Sequence, residues 1–252
     1  MNPRPAETNE MLPKRGDPLP SGEEKTESVR AMFDVIAPRY DMVNRLLTFR
    51  MDVRWRSHAV DQLGLRHGSR VLDLACGTGD LCFDLEERGI TAVGADLSFG
   101  MLAAAPREFR RFQADAARLP MADAALDGAT CGFALRNFTD LGATLREVAR
   151  VVRQGGRIAL LDVAEPPNPL VGFGHRLYFN EVVPRIGGLL SDRDAYSYLP
   201  RSVAYLPQRD ELLATVAEAG FTDVTHQLLS GGISQLICAT RAPGTVTTTN
   251  HP

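Results

Sequence analysis

Apolar residues along the chain follow two rhythms. From Ser28 to Leu63 they recur at helical spacing, broken at Pro38 and again around Asn44 to Thr48, which predicts two or three helices packed as a cap. Beyond that point short apolar runs alternate with helix-length amphipathic stretches. Residues 70–75, 91–96, 109–114, 126–133 and 157–163 read as strands, and 80–88, 99–105 and 141–153 as the helices between them. That alternation predicts an α/β fold with a parallel sheet covered by helices on both faces. The last third differs. Pro166, Pro167 and Pro169 end the fifth strand, an aromatic-rich helical stretch covers 171–190, and a helix over 210–219 stops at Gly220. Two further β-like runs, 221–229 and 233–240, are joined only by Ser230-Gly231-Gly232. A parallel crossover needs a dozen or more residues, so this pair is a hairpin and contributes an antiparallel strand at one edge of the sheet.

Composition narrows the picture. The 252 residues carry 28 basic and 31 acidic side chains, a net charge of −3, with 44% hydrophobic residues. Residues 1–27 and 242–252 are polar, with little apolar periodicity, and read as disordered tails around one domain over 28–241. Near-neutral charge without a basic stripe argues against nucleic acid as a partner. No apolar run reaches the ~18 residues of a membrane span, and the N-terminal stretch has no apolar signal-peptide core. A cytoplasmic location is expected, at most peripheral to the inner face of the membrane. Of the 28 basic residues only Lys14 and Lys25 are lysine, and from residue 26 onward there is none. This excludes Schiff-base chemistry and the lysine of a phosphate-binding P-loop from the part expected to fold. The four cysteines form no CxxC pair and sit in apolar segments, so they read as reduced core thiols, and the scattered histidines suggest no metal site.

The sharpest local feature is Asp73-Leu-Ala-Cys-Gly77-Thr-Gly79-Asp80, where the first strand turns into a helix. Glycines there let the backbone approach a ligand, and the helix N-terminus offers free N–H groups. As a dinucleotide fingerprint it is imperfect, because Cys82 takes the place of the third glycine and a pyrophosphate would meet Asp73 and Asp80. Those carboxylates suit the cationic amine and sulfonium of S-adenosylmethionine (SAM). Asp96, 23 residues after Asp73 at the end of the second strand, can accept both ribose hydroxyls, and Asp115, ending the third, can meet the adenine amino group.

With these residues in view the chain resembles a class I SAM-dependent methyltransferase, Rossmann-like in fold. Four blocks are similar to the ubiquinone/menaquinone biosynthesis C-methyltransferase family: Phe33 through Tyr40-Asp41 to Arg45, Val71–Leu81, Phe133-Ala-Leu-Arg136-Asn137-Phe-Thr-Asp140, and Tyr196 to Ser202. Pro207 to Phe221 and Gly231-Gly232-Ile233 agree as well. The resemblance implies a mostly parallel seven-stranded sheet with a reversed final strand and methyl transfer to a ring carbon of a prenylated quinol such as demethylmenaquinol or a ubiquinone precursor. It places Thr78, Asp96, Leu97, Asp115, Ala116 and Gly132 in the cofactor site, beside Asp73, Gly77 and Gly79 of the turn. A greasy acceptor also implies transient membrane contact, and a homodimer is compatible with the family. The chain departs from the family pattern at Ala134 and Arg50, where Gly is usual, and at Ser234-Gln235-Leu236, near which members carry a His.

A quinol carbon is a weak nucleophile until an adjacent hydroxyl ionises, so the site needs a group to stabilise a phenolate and one to take its proton. Arg136 is the candidate for holding the phenolate oxygen, since with no lysine beyond residue 26 a fixed cation must be arginine or protonated histidine. Asn137 is the candidate for orienting the other oxygen. A water, Asp140, His175 or Tyr196 can take the proton. Three other readings stay open: a phenol or polyketide methyltransferase of specialised metabolism, a SAM-binding protein without turnover, and an NAD-dependent oxidoreductase.

Overall fold

The apolar runs pair into one seven-stranded sheet of order β3-β2-β1-β4-β5-β7-β6, in a computed structural model that describes residues 20–183, 185–186 and 201–243. The strands are β1 (Arg70–Leu74), β2 (Thr91–Asp96), β3 (Arg111–Gln113), β4 (Leu126–Gly132), β5 (Val152–Val163), β6 (Phe221–Leu229) and β7 (Ser234–Arg241). β1 to β5 pair in parallel, and β7 runs antiparallel to both β5 and β6. The reversed strand thus lies one place in from the edge. Its residues are nearly all buried, whereas β6 leaves most of its side chains at least partly exposed, so the more apolar arm of the hairpin takes the inner position. β5 starts ahead of the Gly155-Gly156 pair, not after it, and an irregularity in its pairing with β4 between Leu126 and Gly128 absorbs the extra residues.

Helices α4 (Asp80–Glu87), α5 (Phe99–Ala103), α6 (Leu141–Val151) and α8 (Arg209–Glu218) pack on the sheet. α7 (Pro169–Leu177) is capped by Asn168, whose Oδ1 accepts from the Leu170 and Val171 N–H groups, and continues into one wider turn over Tyr178–Val182. The expected continuation of this helix over 187–190, and residues 196–200 of the family-like run, lie outside the described residues. The cap is α1 (Gly22–Ile36) and α2 (Tyr40–Leu47), which close a small core of their own around Met32, Ile36 and Val43, whereas α3 (Met51–Leu63) lays Trp55, Ala59, Val60 and Leu63 on the sheet against Val71, Ala159 and Leu161.

α1 begins earlier than apolar spacing suggests. Residues 22–27 belong to it because Lys25, only 5% exposed, donates through Nζ to the Phe138 carbonyl at 2.8 Å and lies 3.9 Å from the Tyr205 ring centroid. A lysine is therefore part of the folded unit, and burial lowers it to about 8. The exclusion of amine chemistry thus no longer rests on count, and rests instead on geometry, since this amine is committed to a backbone carbonyl. Residues 1–19 and 244–252 of the expected tails lie outside the described residues. Between α2 and α3, Phe49 and Arg50 have φ of +52° and +62°. This left-handed bend is what the family's glycine at position 50 would ease, and a non-glycine residue there costs roughly 1–2 kcal/mol.

The chain reverses its direction of spread at β1, whose neighbours are β2 on one side and β4 on the other. In an open parallel sheet that reversal leaves a crevice at the carboxyl ends of the two central strands. The cap helices lie over it.

Candidate active site

A cavity of about 1300 Å³, its mouth included, opens at that crevice. Asp73, Gly77, Thr78, Asp96, Leu97, Asp115, Ala116 and Gly132 all line it. Gly79 does not. It serves the turn instead, with φ of +97° and the Phe109 ring so close that a Cβ would fall 2.7 Å from it.

The acids differ in what they have left to offer. Asp96 accepts the Gly77 and Ser98 N–H groups at 2.8 Å each, which ties the glycine turn to the end of β2 and leaves its remaining lone pairs toward the cavity. Asp115 accepts the Ala117 N–H at 2.9 Å and is exposed. Asp73 is 1% exposed and takes the Thr130 hydroxyl at 2.8 Å. Burial pushes it up to about 7. Asp80 departs from expectation: Arg45 of the cap and Arg56 of α3 hold its two oxygens at 2.8 and 2.6 Å, so it latches both helices to the glycine turn and is not a free carboxylate for a cationic ligand. The Thr78 hydroxyl likewise donates to Asp41 of α2 at 2.8 Å.

Arg136 and Asn137, expected to act on the same molecule, line different cavities. They sit in one tight turn, Leu135–Asn137, where successive side chains diverge by about a third of a revolution. Asn137 faces the Asp73 and Asp96 cavity, and its Oδ1 is buried with no partner among the described residues. Arg136 lines a second cavity of about 1330 Å³, walled by Leu47, Phe49, Trp55, Val171, Phe179 and Val183 among others. Its guanidinium is 7% exposed, ion-paired with Asp162, and donates to Ser202 Oγ at 3.1 Å and the Phe133 carbonyl at 2.9 Å. Nη2 has no hydrogen bond among the described residues. The two cavities meet at Tyr40, Arg56 and Phe133, which line both.

A cavity with buried acceptors adjoins a more apolar one with a fixed cation, and a profile of the ubiE/COQ5 methyltransferase family matches residues 21–241 of the chain that builds them. The chain belongs to that family. It is 43% identical over 228 residues to the ubiquinone/menaquinone biosynthesis C-methyltransferase UbiE of Syntrophotalea carbinolica, covering 86% of this chain and 96% of that one. It is 45% identical over 215 residues to the demethylmenaquinone methyltransferase of Thermus thermophilus, covering 81% and 97%. Among solved structures, the [4+2]-cyclase SpnF superposes with a TM-score of 0.64 at 16% identity, over 90% of this chain and 99% of that one. A SAM-bound phosphoethanolamine N-methyltransferase 2 of Haemonchus contortus gives 0.56 at 13% identity, over 75% and 52%. These last two likenesses are of fold alone. The cyclase shows that the frame itself does not decide the chemistry, which must be read from the site.

The site fits the cofactor of a ubiE/COQ5 methyltransferase. The orphaned Asn137 Oδ1 and the desolvated Asp73 both lack a cationic N–H, which the amine of SAM carries, and Asp96 has lone pairs for the ribose. Arg56, which lines both cavities, stands out in the sequence only by Asp52 one helical turn earlier, to which it is paired. Tyr40 was visible only as part of the family-like block. Burial raises its hydroxyl above the usual tyrosine value, so it stays neutral.

Asp73 makes the site pH-dependent. Its carboxyl is raised from 3.8 to about 7, so between those values the native state holds a proton that the unfolded chain has lost. Its contribution to stability is therefore greatest at low pH, falls as pH rises toward 7, and is flat above. A cation arriving beside it reverses that preference. SAM affinity is expected to rise with pH from about 5.5 to 7, by at most tenfold per unit for one linked proton. Calorimetric titration of wild type and Asp73→Asn checks this: the slope should flatten in the variant, and equal slopes would remove Asp73 from the amine site.

Proposed function

We propose that this protein is a SAM-dependent C-methyltransferase whose acceptor is a prenylated hydroquinone, demethylmenaquinol in the first instance. The observation that carries the reading is the junction of the two cavities at Tyr40, Arg56 and Phe133, with Arg136 fixed in the acceptor wall. Its relatives' names, a ubiquinone/menaquinone biosynthesis C-methyltransferase and a demethylmenaquinone methyltransferase, support the same choice.

SAM supplies an electrophilic methyl on a sulfonium and a neutral thioether leaving group. The protein's own part is to hold, orient and dry the reactants. Asp96 and Asp115 take the ribose and adenine, and Asp73 and Asn137 the amine. Arg136 stabilises charge on a quinol oxygen: its pairing with Asp162 and Ser202 fixes the plane of the guanidinium, so no reorganisation is needed as the phenolate forms. Trp55, Phe133 and Phe179 keep water from the ring.

The apolar cavity is bordered by an apolar rim: Phe49 in its wall is 73% exposed, and α7, whose Val171 and His175 also wall it, carries Leu170, Phe173 (63% exposed) and Leu177 on an exposed face outside it. No helix among the described residues is long and apolar enough to cross a membrane. A bilayer surface covering this rim lets the prenyl tail pass from lipid to cavity without crossing water, with each inserted ring contributing about 1.5–3 kcal/mol.

One assay tests both parts. Methyl-labelled SAM is supplied with demethylmenaquinol in anionic vesicles, with a short-chain soluble quinol, or with polar phenols. Label is expected in both quinols; label confined to the polar phenols would favour specialised metabolism, and none would leave a SAM-binding protein. Phe49→Ser with Phe173→Ser should slow vesicle turnover about tenfold or more while sparing the soluble quinol. Equal losses on both would argue against the membrane contact.

A further inference from the structure

The proposed reaction needs a proton acceptor, and several groups in or near the site are already committed. Asp140 caps α6 through the Ala143 N–H and lines the cofactor cavity, not the acceptor one. Asp52 is paired with Arg56 and accepts the Thr48 hydroxyl. Arg136 stays protonated at any working pH. Tyr196 lies outside the described residues.

His175 is placed otherwise. It sits on α7, in the wall of the acceptor cavity with Arg136 and Tyr40. Its ring packs against Phe179 with centroids 4.7 Å apart, and its Nε2 is buried with no hydrogen-bond partner among the described residues. A buried ring nitrogen left unmatched is costly, and such orphan groups are common where a ligand or a reaction supplies the partner. We propose that His175 is the general base: its Nε2 takes the proton of the quinol hydroxyl while Arg136 holds the oxygen from which it leaves. The inference rests on the quinol reading above and adds to it the group that the sequence left unranked.

The protons and electrons balance as follows. The hydroxyl proton passes to Nε2, and the electron pair left on oxygen feeds through the ring to the adjacent carbon. That carbon forms its bond to the methyl as the methyl–sulfur bond breaks and sulfur keeps the pair. The ring carbon loses its hydrogen to water as a proton, and the imidazolium returns its own proton to the oxygen. One proton is released per turnover, and His175 ends neutral.

The surroundings suit a neutral imidazole. Burial lowers His175 below its usual value and Arg176 on the same helix adds to this, with Glu165, before α7, opposing. Across the cavity Arg136 is paired with Asp162, and Arg56 with Asp52 and Asp80. The Tyr40 and Tyr178 hydroxyls are both raised by burial and remain neutral. With the ring proton on Nδ1, Nε2 carries the free lone pair.

The test uses full-length His175→Gln and His175→Ala. With short-chain demethylmenaquinol at SAM concentrations saturating at every pH from about 5 to 9, which removes the Asp73 contribution, kcat should fall roughly 10²–10⁴-fold with little change in KM, and the acidic limb of kcat/KM for the quinol should vanish in the glutamine variant. Added imidazole should restore part of the rate to the alanine variant. An unchanged rate, or a limb that persists in His175→Gln, overturns the proposal. A second readout does not need turnover: in ¹⁵N-histidine-labelled protein with S-adenosylhomocysteine, 1-naphthol should shift the His175 Nε2 resonance. No shift overturns the assignment even if quinols are methylated. A shift in a protein that methylates no quinol upholds His175 as the group facing a phenol and refutes the quinol reading.

Discussion

Protein carrying Arg136→Ala is expected to lose about 3–5 kcal/mol of stability and to methylate a soluble quinol about 10²–10³-fold more slowly. The two losses have one origin. Asp162 is fully buried, its Oδ1 takes Arg136 and the Val163 N–H, and its Oδ2 has no partner among the described residues. Removing the guanidinium strands a carboxylate in the sheet between β4 and β7, so the fold loses the partner that makes that burial tolerable. The same change removes the fixed charge in the acceptor wall. Replacing both members, Arg136→Met with Asp162→Leu, separates the effects, because an apolar pair of similar volume carries no desolvation cost. The double variant should recover most of the melting temperature and none of the activity. Recovered activity would mean that Arg136 supports the structure without touching the acceptor.

The second large effect is expected at Asp96. Asp96→Ala should weaken SAM binding by about a hundredfold or more in calorimetric titration, since two charge-assisted hydrogen bonds at about 1.5–3 kcal/mol each are lost. The carboxylate also holds the Gly77 and Ser98 N–H groups, so the glycine turn loosens in the free protein. Thermal melting without ligand measures that part. Asp96→Asn keeps one acceptor oxygen and should stabilise the turn better than alanine while still binding poorly. Tight SAM binding by either variant would show that the ribose is held elsewhere.

Much of the frame was legible along the chain. β2 and β6 occupy the residues that apolar runs between turn signals suggest, because a short buried strand flanked by glycine or charge has few competing conformations. Asp73, Asp96 and Asp115 fall at or just beyond the ends of β1, β2 and β3, so strand spacing alone brought them to one crevice. The early start of α1 was hidden because it depends on Lys25 reaching a carbonyl 113 residues away. Asp80 looked like a ligand group for the same reason: its partners, Arg45 and Arg56, lie 35 and 24 residues before it.

Periodicity and turn chemistry are local, and through them the sequence by itself determined the parallel α/β sheet, the hairpin at its end, the glycine turn and the acids of the cofactor crevice. Tertiary structure alone decided which charges were already spent, that Arg136 and Asn137 part into separate cavities, that β7 lies inside β6, and that His175 joins Arg136 in the wall of the apolar cavity with a nitrogen unpaired among the described residues. The physical reason is that pairing and desolvation depend on which groups end up within a few ångströms of one another. Residues far apart in sequence acquire that relation only when the sheet closes and the cap settles on it.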